Sequence, residues 1–389
     1  MYPVSALADD EKSTTWFDVG IVGGGLAGLS LAILLAKKKY NVILFEKEKY
    51  PFHRVCGEYI SFESKNFIES LGLDLSQYHL PVLKKLIVSS PNGNSVNANL
   101  DLGGFGVSRS LIDNELKKLA LLDGVKVFEE TKVNDVIFNN DSFTVRTNNM
   151  DVDCTMVVGS FGKRSNLDVK FSRDFIKKRP GKLNNYIGVK YHIKTVWPPD
   201  TIALHNFRNG YCGISKIEDE KYCLCYLTTA NNLKECNNSI HEMEQQILCK
   251  NPALKKIFSN SQFVFPAPVT ISQISFDKKL QVENHMLLVG DAAGMITPLC
   301  GNGMSMAFHS SKLAFECIDD FMQGKINRDE LEVQYKKKWN KTFSTRLGAG
   351  RMIQSWFGKE RSTNLFIGIM KHLPFAVNAV IKATHGKEF

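Results

Sequence analysis

Apolar and polar stretches divide the start of the chain into short elements. An apolar run over Val19–Val22 ends in glycines, an Ala- and Leu-rich segment follows, and a second apolar run over Val42–Phe45 ends at Glu46. Short apolar runs bounded by glycine indicate buried strands, and the longer apolar segment between them indicates a helix. The stretch from Asp18 to Glu46 therefore predicts a strand, a helix and a second strand.

Helical and strand-like spacing then alternate as far as residue 163. The stretch Leu83–Leu100 alternates around a Pro-Asn-Gly turn and predicts a hairpin. Val107–Leu122 keeps helical spacing and has serines near its start that can cap a helix. Cys154–Val158 predicts another buried strand.

Between about residues 164 and 273 the pattern changes to strand-like runs, at Tyr186–Ile193, Tyr211–Ser215, Tyr222–Thr228 and Gln262–Ile271. A strand-like run over His285–Val289 follows, and helical spacing returns after residue 301. The pattern predicts an α/β fold. Its parts are a nucleotide-binding domain that begins with residues 1–163, an inserted, mainly antiparallel β substrate domain over residues 164–273, and the second part of the first domain with helical C-terminal segments over residues 274–389.

Three glycines follow the first predicted strand at G-x-G-x-x-G spacing. Gly23 permits a tight turn, Gly25 lets a pyrophosphate approach the backbone, and Gly28 lets the helix and strand pack closely. Glu46 is placed to accept hydrogen bonds from an adenosine ribose. Since both strands, the helix and the terminal acid are present in order, the stretch predicts a dinucleotide site in a Rossmann-like domain.

The composition narrows the class of partner. The chain has 389 residues, of which 43% are hydrophobic and 23% charged, and its formal net charge is +9. The basic residues are scattered rather than interleaved with aromatic residues, so we expect no nucleic-acid partner. Nine irregularly spaced cysteines do not indicate a disulfide framework, and we expect a cytoplasmic protein. No segment has the length and apolarity of a transmembrane span.

Later motifs supply candidate ligands for the other end of a dinucleotide. Arg109 begins a predicted helix, where its guanidinium can reach a phosphate or a flavin edge. Asp291 follows a predicted strand and can accept hydrogen bonds from ribityl hydroxyls. The turn from Pro298 to Gly303 begins a helix, whose N-terminal amides stabilise negative charge.

In this order the motifs resemble the FAD-binding fold of the para-hydroxybenzoate hydroxylase type, which includes aromatic hydroxylases, geranylgeranyl reductases and flavin-dependent halogenases. The resemblance covers most of the chain and implies FAD as the cofactor. The implied cofactor contacts come from the glycine turn, the loop after the second strand, the helix at residue 109 and the motif at residue 291, and they comprise Gly23, Gly25, Leu26, Ala27, Gly28, Glu46, Lys47, Arg54, Val55, Cys56, Arg109, Gly290, Asp291, Pro298, Gly301, Asn302, Gly303 and Met304.

Two departures from the family pattern affect the expected reaction. Phe161-Gly162 stands where hydroxylases usually carry Asp-Gly, which weakens the usual nicotinamide interaction there. The Trp-x-Trp-x-Ile-Pro motif of many halogenases is absent, and Tyr211–Ser215 stands roughly in its place. The resemblance implies an FAD-dependent monooxygenase that uses NAD(P)H and O2 on an aromatic or apolar small molecule. An alkene reductase like the geranylgeranyl reductases, or a halogenase without the tryptophan motif, is the alternative.

Several further residues are candidates for catalytic or binding roles. Cys56 is a candidate redox or acid group beside the flavin, or else a small residue packed under the ring. Cys223 and Cys225 share a strand face without further metal ligands at matching spacing, so core packing is favoured and no metal is expected. His53, His192, His205 and His309 show no partner pattern. The apolar segment Phe357–Ala383, with basic residues around it, is open to two interpretations. It is compatible with a peripheral membrane contact or a cover over an apolar substrate pocket, whereas a helix packed on the FAD domain or on a dimer partner is the more common arrangement.

Overall fold

The computed structural model describes residues 16–178, 184–297, 301–356, 359–372, 377, 381–382 and 386–389. It has the predicted α/β class. Its strands are β1 (Trp16–Val22), β2 (Val42–Phe45), β3 (Tyr59–Ser61), β4 (Val82–Ser89), β5 (Ser95–Gly106), β6 (Lys126–Phe128), β7 (Val133–Asn139), β8 (Ser142–Thr147), β9 (Asp151–Gly159), β10 (Asn184–Lys194), β11 (Thr201–Phe207), β12 (Gly210–Lys216), β13 (Tyr222–Thr229), β14 (Gln262–Phe263), β15 (Val269–Ser275), β16 (Val282–Glu283) and β17 (Met286–Leu288).

The helices connect and cover these strands. They are α1 (Leu26–Lys37), α2 (Lys65–Ser70), α3 (Arg109–Leu122), α4 (Asn166–Lys170), α5 (Asp174–Lys177), α6 (Ala230–Glu235), α7 (Ile240–Gln246), α8 (Pro252–Asn260), α9 (Gly303–Met322), α10 (Arg328–Trp356) and α11 (Glu360–Met370). Within the described part of the chain, no helix combines the length and apolarity needed to span a membrane.

The smaller sheet is built around the first strand. Its order is β16-β17-β9-β1-β2-β6, and β1 runs parallel to both β2 and β9. The side chains of Val19, Ile21 and Leu29 are fully buried, because β1 and α1 lie at the centre of the largest hydrophobic core. The predicted strand, helix and strand at the start of the chain are therefore confirmed, and they form the middle of this layer.

The larger sheet is mainly antiparallel, with the order β14-β10-β13-β12-β11-β4-β5-β3 and β15 paired to β10. Strands β10 to β15 come from the predicted insertion. Strands β3, β4 and β5 lie earlier in the chain, between residues 59 and 106, so the sheet also uses part of the stretch assigned to the first domain. The boundary at residue 163 remains a prediction, although strand pairing alone would start the second layer sooner.

Local differences from the predicted elements have local causes. The predicted strand Gln262–Ile271 is divided into β14 and β15, and prolines 266 and 268, which cannot donate to a ladder, lie between them. Helix α8 was not predicted, although Asn251 caps it by accepting a hydrogen bond from the amide of Ala253 at 2.9 Å.

Candidate functional site

The first glycine turn has the geometry of an anion site at the start of α1. Gly23 has a φ of +108°, and a Cβ there would lie 2.4 Å from the carbonyl oxygen of Ser160. A Cβ on Gly28 would lie 2.1 Å from the carbonyl oxygen of Gly23. At Gly25 the nearest neighbour is Arg109 Nη2 at 3.5 Å, so a ligand can approach the backbone there. No side chain caps α1, whose first turn carries Leu26 and Ala27.

Glu46 lies at the end of β2 and is 3% exposed. Its Oε2 accepts hydrogen bonds from the amide of Gly24 at 2.9 Å and from Arg54 Nη2 at 2.7 Å. Arg54 Nε also lies 3.3 Å from Asp113 Oδ2. The Glu46 carboxylate therefore binds both the glycine turn and the following loop. Lys47, by contrast, has a side chain that is 64% exposed.

Arg109 places a fixed cation beside Gly25. Ser108 caps α3 by accepting a hydrogen bond from the amide of Leu111 at 3.1 Å. The guanidinium makes a bidentate pair with Asp113, with Nε–Oδ1 of 2.9 Å and Nη2–Oδ2 of 2.7 Å. Burial acts to lower the pKa of Arg109, but Asp113 outweighs it and the pKa is raised. The guanidinium is thus permanently charged and is held in place by Asp113.

The second glycine-rich turn joins three elements. Gly290 has a φ of +59°, its amide donates to Ser310 Oγ at 2.8 Å, and a Cβ there would lie 3.2 Å from the Cβ of Ala27. The turn therefore lies between α1 and α9. Asp291, which follows it, is half-buried in a shallow cleft that Gly303 also lines.

The N-terminal end of α9 is the second possible anion site. Gly301 has a φ of +68°, Asn302 is fully buried at the N-cap, and α9 begins at Gly303 without a side-chain cap. Met304 is 4% exposed and packs in the core of the smaller sheet. Pro298 lies outside the described residues.

Carbonyl groups of the loop at residues 54–58 accept hydrogen bonds from the segment after β9 and from strands β12 and β13 of the larger sheet. Lys163 Nζ donates to the carbonyl oxygen of Val55 at 2.8 Å, and Ser215 Oγ donates to that of Gly57 at 3.0 Å. Between them, Cys223 Sγ lies 3.3 Å from the carbonyl oxygen of Cys56. Cys56 itself is half-buried. Three consecutive residues of the loop are therefore held in place, on the face of the sheet turned towards the glycine turns.

Lys279 was not singled out from the sequence. It is 4% exposed, and its Nζ donates to the carbonyl oxygens of Lys163 at 3.0 Å and Asp291 at 2.8 Å. Burial lowers the pKa of Lys279 to about 8, although Asp168 and Asp291 act in the opposite direction. The side chain joins the end of β9 to the turn at Asp291. No periodic pattern marks this lysine, so only the folded chain reveals it.

One face of the larger sheet carries a cluster of buried apolar side chains, here called the apolar wall. Directly paired residues of neighbouring strands share a face, and Tyr211 pairs with Leu227, which pairs in turn with Gly188 on β10. The buried side chains that pack together here are Tyr186, Tyr211, Leu227, Ile274, Phe276 and Met295. Met295 closely follows Asp291 in the chain, so the wall meets the second glycine-rich turn.

The histidines require one correction. His192 has a partner, because its Nε2 lies 2.6 Å from Oε2 of the buried Glu58. The ring of His53 lies edge-on to His192 with 5.0 Å between centroids, and burial, followed by nearby Lys190, lowers the pKa of His53 to about 4. The sequence places Lys190 and His192 on one face of a predicted strand, but it shows neither their burial nor the acid that pairs with them.

The other two histidines lie away from the cleft. His205 Nδ1 is 2.8 Å from Ser89 Oγ, and the His309 ring stacks on Phe389 at 4.0 Å. Burial lowers the pKa of both to about 4. Cys223 is buried, in keeping with the favoured packing role, whereas Cys225 is half-buried.

Comparison with known proteins gives a consistent result. A family model described as an FAD binding domain matches residues 16–338. The chain is 23% identical over 346 residues to a digeranylgeranylglycerophospholipid reductase of Methanococcus vannielii, covering 83% of this chain and 82% of that protein. It is 22% identical over 332 residues to a kynurenine 3-monooxygenase of Dictyostelium discoideum, covering 78% and 70%. The solved structure of the flavin-dependent brominase Bmp2 superposes with a TM-score of 0.77 at 21% identity, covering 95% of this chain and 93% of that one.

Proposed function

The chain belongs to the FAD-binding domain family, whose members include FAD-dependent oxidoreductases, and from this premise we propose that it is a monooxygenase. The proposed reaction is hydroxylation of an apolar aromatic small molecule, with NAD(P)H as reductant and O2 as oxidant. The relatives do not by themselves indicate which reaction the chain catalyses, because a reductase, a monooxygenase and a brominase are all among them.

The apolar wall is the observation that carries the proposal. Tyr186, Tyr211 and Leu227 lie on one sheet face and pack with Met295, next to the turn at Asp291. Aromatic side chains favour stacked and edge-on contacts with an aromatic ligand. An apolar wall also excludes water, which protects a reactive oxygen donor from unproductive breakdown. Both properties suit hydroxylation of an apolar aromatic compound.

FAD, when bound, supplies two-electron redox chemistry and the activation of O2. The residues present fit it: at an uncapped helix N-terminus, a Cβ on Gly25 would meet a single neighbour, the Arg109 guanidinium at 3.5 Å, which also provides a fixed cation. Asp291 would accept hydrogen bonds from the ribityl chain, and the N-terminus of α9 at Gly303 would face the anionic end of the ring system. The protein itself would orient the substrate against the apolar wall.

Alkene reduction is the second candidate, and Cys56 favours it. The thiol is half-buried on a loop whose carbonyl groups are fixed to the larger sheet. Hydride addition to an alkene leaves a carbon that needs a proton, and a positioned thiol can donate one. The Cys-Gly loop resembles that of the geranylgeranyl reductase branch, which supports the same interpretation.

Three parallel incubations of the FAD-loaded protein distinguish the reactions. The first supplies NAD(P)H, air and a panel of alkyl-substituted phenols, the second is anaerobic with chemically reduced protein and geranylgeraniol, and the third adds bromide to the first. Hydroxylated phenol in the first incubation supports the proposal. A saturated isoprenoid without oxygenated product would establish reduction instead, and brominated phenol would establish halogenation.

A further inference from the structure

Three charged or titratable side chains meet in the interior between the glycine turns and the larger sheet. Lys190 Nζ lies 2.5 Å from Glu58 Oε1, and His192 Nε2 lies 2.6 Å from Glu58 Oε2. The side chains of Glu58 and Lys190 are fully buried, and that of His192 is 1% exposed. Removing such charges from water is expensive unless they are closely paired. The cluster therefore depends on all its members.

The cluster is connected to residues near both Gly25 and Gly301. Glu58 Oε1 accepts the backbone amide of Arg109 at 2.8 Å, and the Arg109 guanidinium lies 3.5 Å from the position that a Cβ on Gly25 would take. The ring of Tyr59, the next residue, lies 3.4 Å from the corresponding position on Gly301. Glu58 is thus linked through one neighbour to each end of the proposed FAD site.

The backbone conformation of Glu58 also indicates that its carboxylate side chain is required at this position. Its φ is +55°, in the left-handed region, which a glycine adopts without penalty and which is strained for a residue with a Cβ. The contacts of the carboxylate compensate for this penalty. They connect three pieces of the chain, namely the loop, β10 and the start of α3.

Two members of the cluster, Glu58 and Lys190, carry opposite charges near neutral pH. Burial acts to raise the pKa of Glu58, but Lys190 and then His192 outweigh it and lower the pKa to about 2. Burial acts to lower the pKa of Lys190, but Glu58 outweighs it and the pKa is raised. The carboxylate and the ammonium are therefore both charged and cancel each other. Removing either leaves a net buried charge.

We propose that Glu58 is a positioning residue of the FAD site, which together with Lys190 and His192 fixes the loop at residues 54–57 and sets the electrostatic potential at the flavin ring. The inference rests on the proposed placement of FAD between Gly25 and Gly301. Reduction adds negative charge to the ring, so a net positive neighbour makes the reduction potential more positive. Glu58→Gln leaves Lys190 uncompensated and shifts the potential upwards, whereas Lys190→Met shifts it downwards.

Spectroelectrochemical titration of FAD-loaded protein tests this inference. The variants are Glu58→Gln, Lys190→Met and the double variant, which removes both charges and returns the potential towards the wild-type value. Glu244→Gln is the matched control, because Glu244 is a carboxylate 5% exposed on the opposite face of the same sheet, bound by the hydroxyls of Tyr191 and Tyr226, each at 2.8 Å. Its loss weakens the fold without changing the potential.

The possible failures are distinguishable. A wild-type protein that takes up no FAD defeats the proposed function and this inference with it. FAD-loaded Glu58→Gln and Lys190→Met proteins with the wild-type potential, or shifted in the same direction, overturn the inference alone. If Glu58→Gln does not retain FAD, Lys190→Met tests the inference through its expected downward shift in reduction potential. A wild-type potential in FAD-loaded Lys190→Met would then contradict the inference.

Discussion

Lys279 allows the burial of a charge beside the turn at Asp291 to be tested through the pH dependence of stability. Its ammonium is buried and donates to the carbonyl oxygens of Lys163 and Asp291, and burial lowers its pKa from 10.5 to about 8. We expect Lys279→Met to change how stability depends on pH, because the variant no longer contains this proton-binding group. The charged neighbours Asp168 and Arg173 are present in both proteins.

The sign follows from proton binding. Between about pH 8 and the unfolded value of 10.5, the unfolded protein binds the proton and the folded protein does not, so stability rises with pH. A difference of 2.5 in pKa, from 10.5 to about 8, corresponds to about 3.4 kcal/mol in total. About 2 kcal/mol of this is recovered between about pH 7 and about pH 9.5.

Urea unfolding of both proteins at these two pH values, at matched FAD content, measures the effect. Groups other than Lys279 contribute equally to wild type and Lys279→Met, so the difference between the two proteins isolates the lysine. We expect the stability of wild type relative to the variant to increase by about 2 kcal/mol at the higher pH. An unchanged or reduced difference would show that the ammonium is not buried as described.

Further outcomes follow from the same structure. Gly25→Val should abolish FAD uptake by filling the space beside Arg109, whereas Gly348→Ala, where a Cβ meets nothing within 4 Å, should leave it intact; equal FAD binding would contradict the glycine-turn site. Cys56→Ser should retain hydroxylation and lose any alkene reduction, as product analysis will show. Leu227→Ala should raise KM for an apolar phenol by about tenfold, since it removes buried methyl groups from the wall, and an unchanged KM would place the substrate elsewhere. The stability that Glu58 contributes should be present above pH 4.5 and lost as the pH falls towards about 2, because the pKa of Glu58 is lower in the folded than in the unfolded protein. Acid titration should show this loss in the wild type and not in Glu58→Gln.

Those parts of the proposed cofactor site that depend on local backbone geometry could be predicted from the sequence. The turn at Gly23–Gly28 and the N-terminus of α3 are set by residues within a few positions of one another, so spacing and cap residues identify them. The α/β class followed from the change between helical and strand-like periodicity near residue 164.

The parts of the site that depend on contacts between residues distant in sequence could not be predicted from local spacing. Glu58 and Lys190 are distant in sequence, and neither residue alone indicates that the other will neutralise it. The assignment of β4 and β5 to the larger sheet depends on the parallel pairing of β4 with β11, which lies beyond residue 200. Hydrophobic periodicity predicts that a strand exists, but it does not choose the partner of that strand.

The most direct test of the proposed function follows the oxygen atom. FAD-loaded protein is incubated with NAD(P)H, an alkyl-substituted phenol and O2 labelled with a heavy oxygen isotope, and the product is analysed by mass spectrometry. We predict one labelled oxygen atom per hydroxylated product, formed with consumption of one equivalent of NAD(P)H. A product that carries oxygen from water, or turnover that proceeds equally well without O2, would contradict monooxygenation.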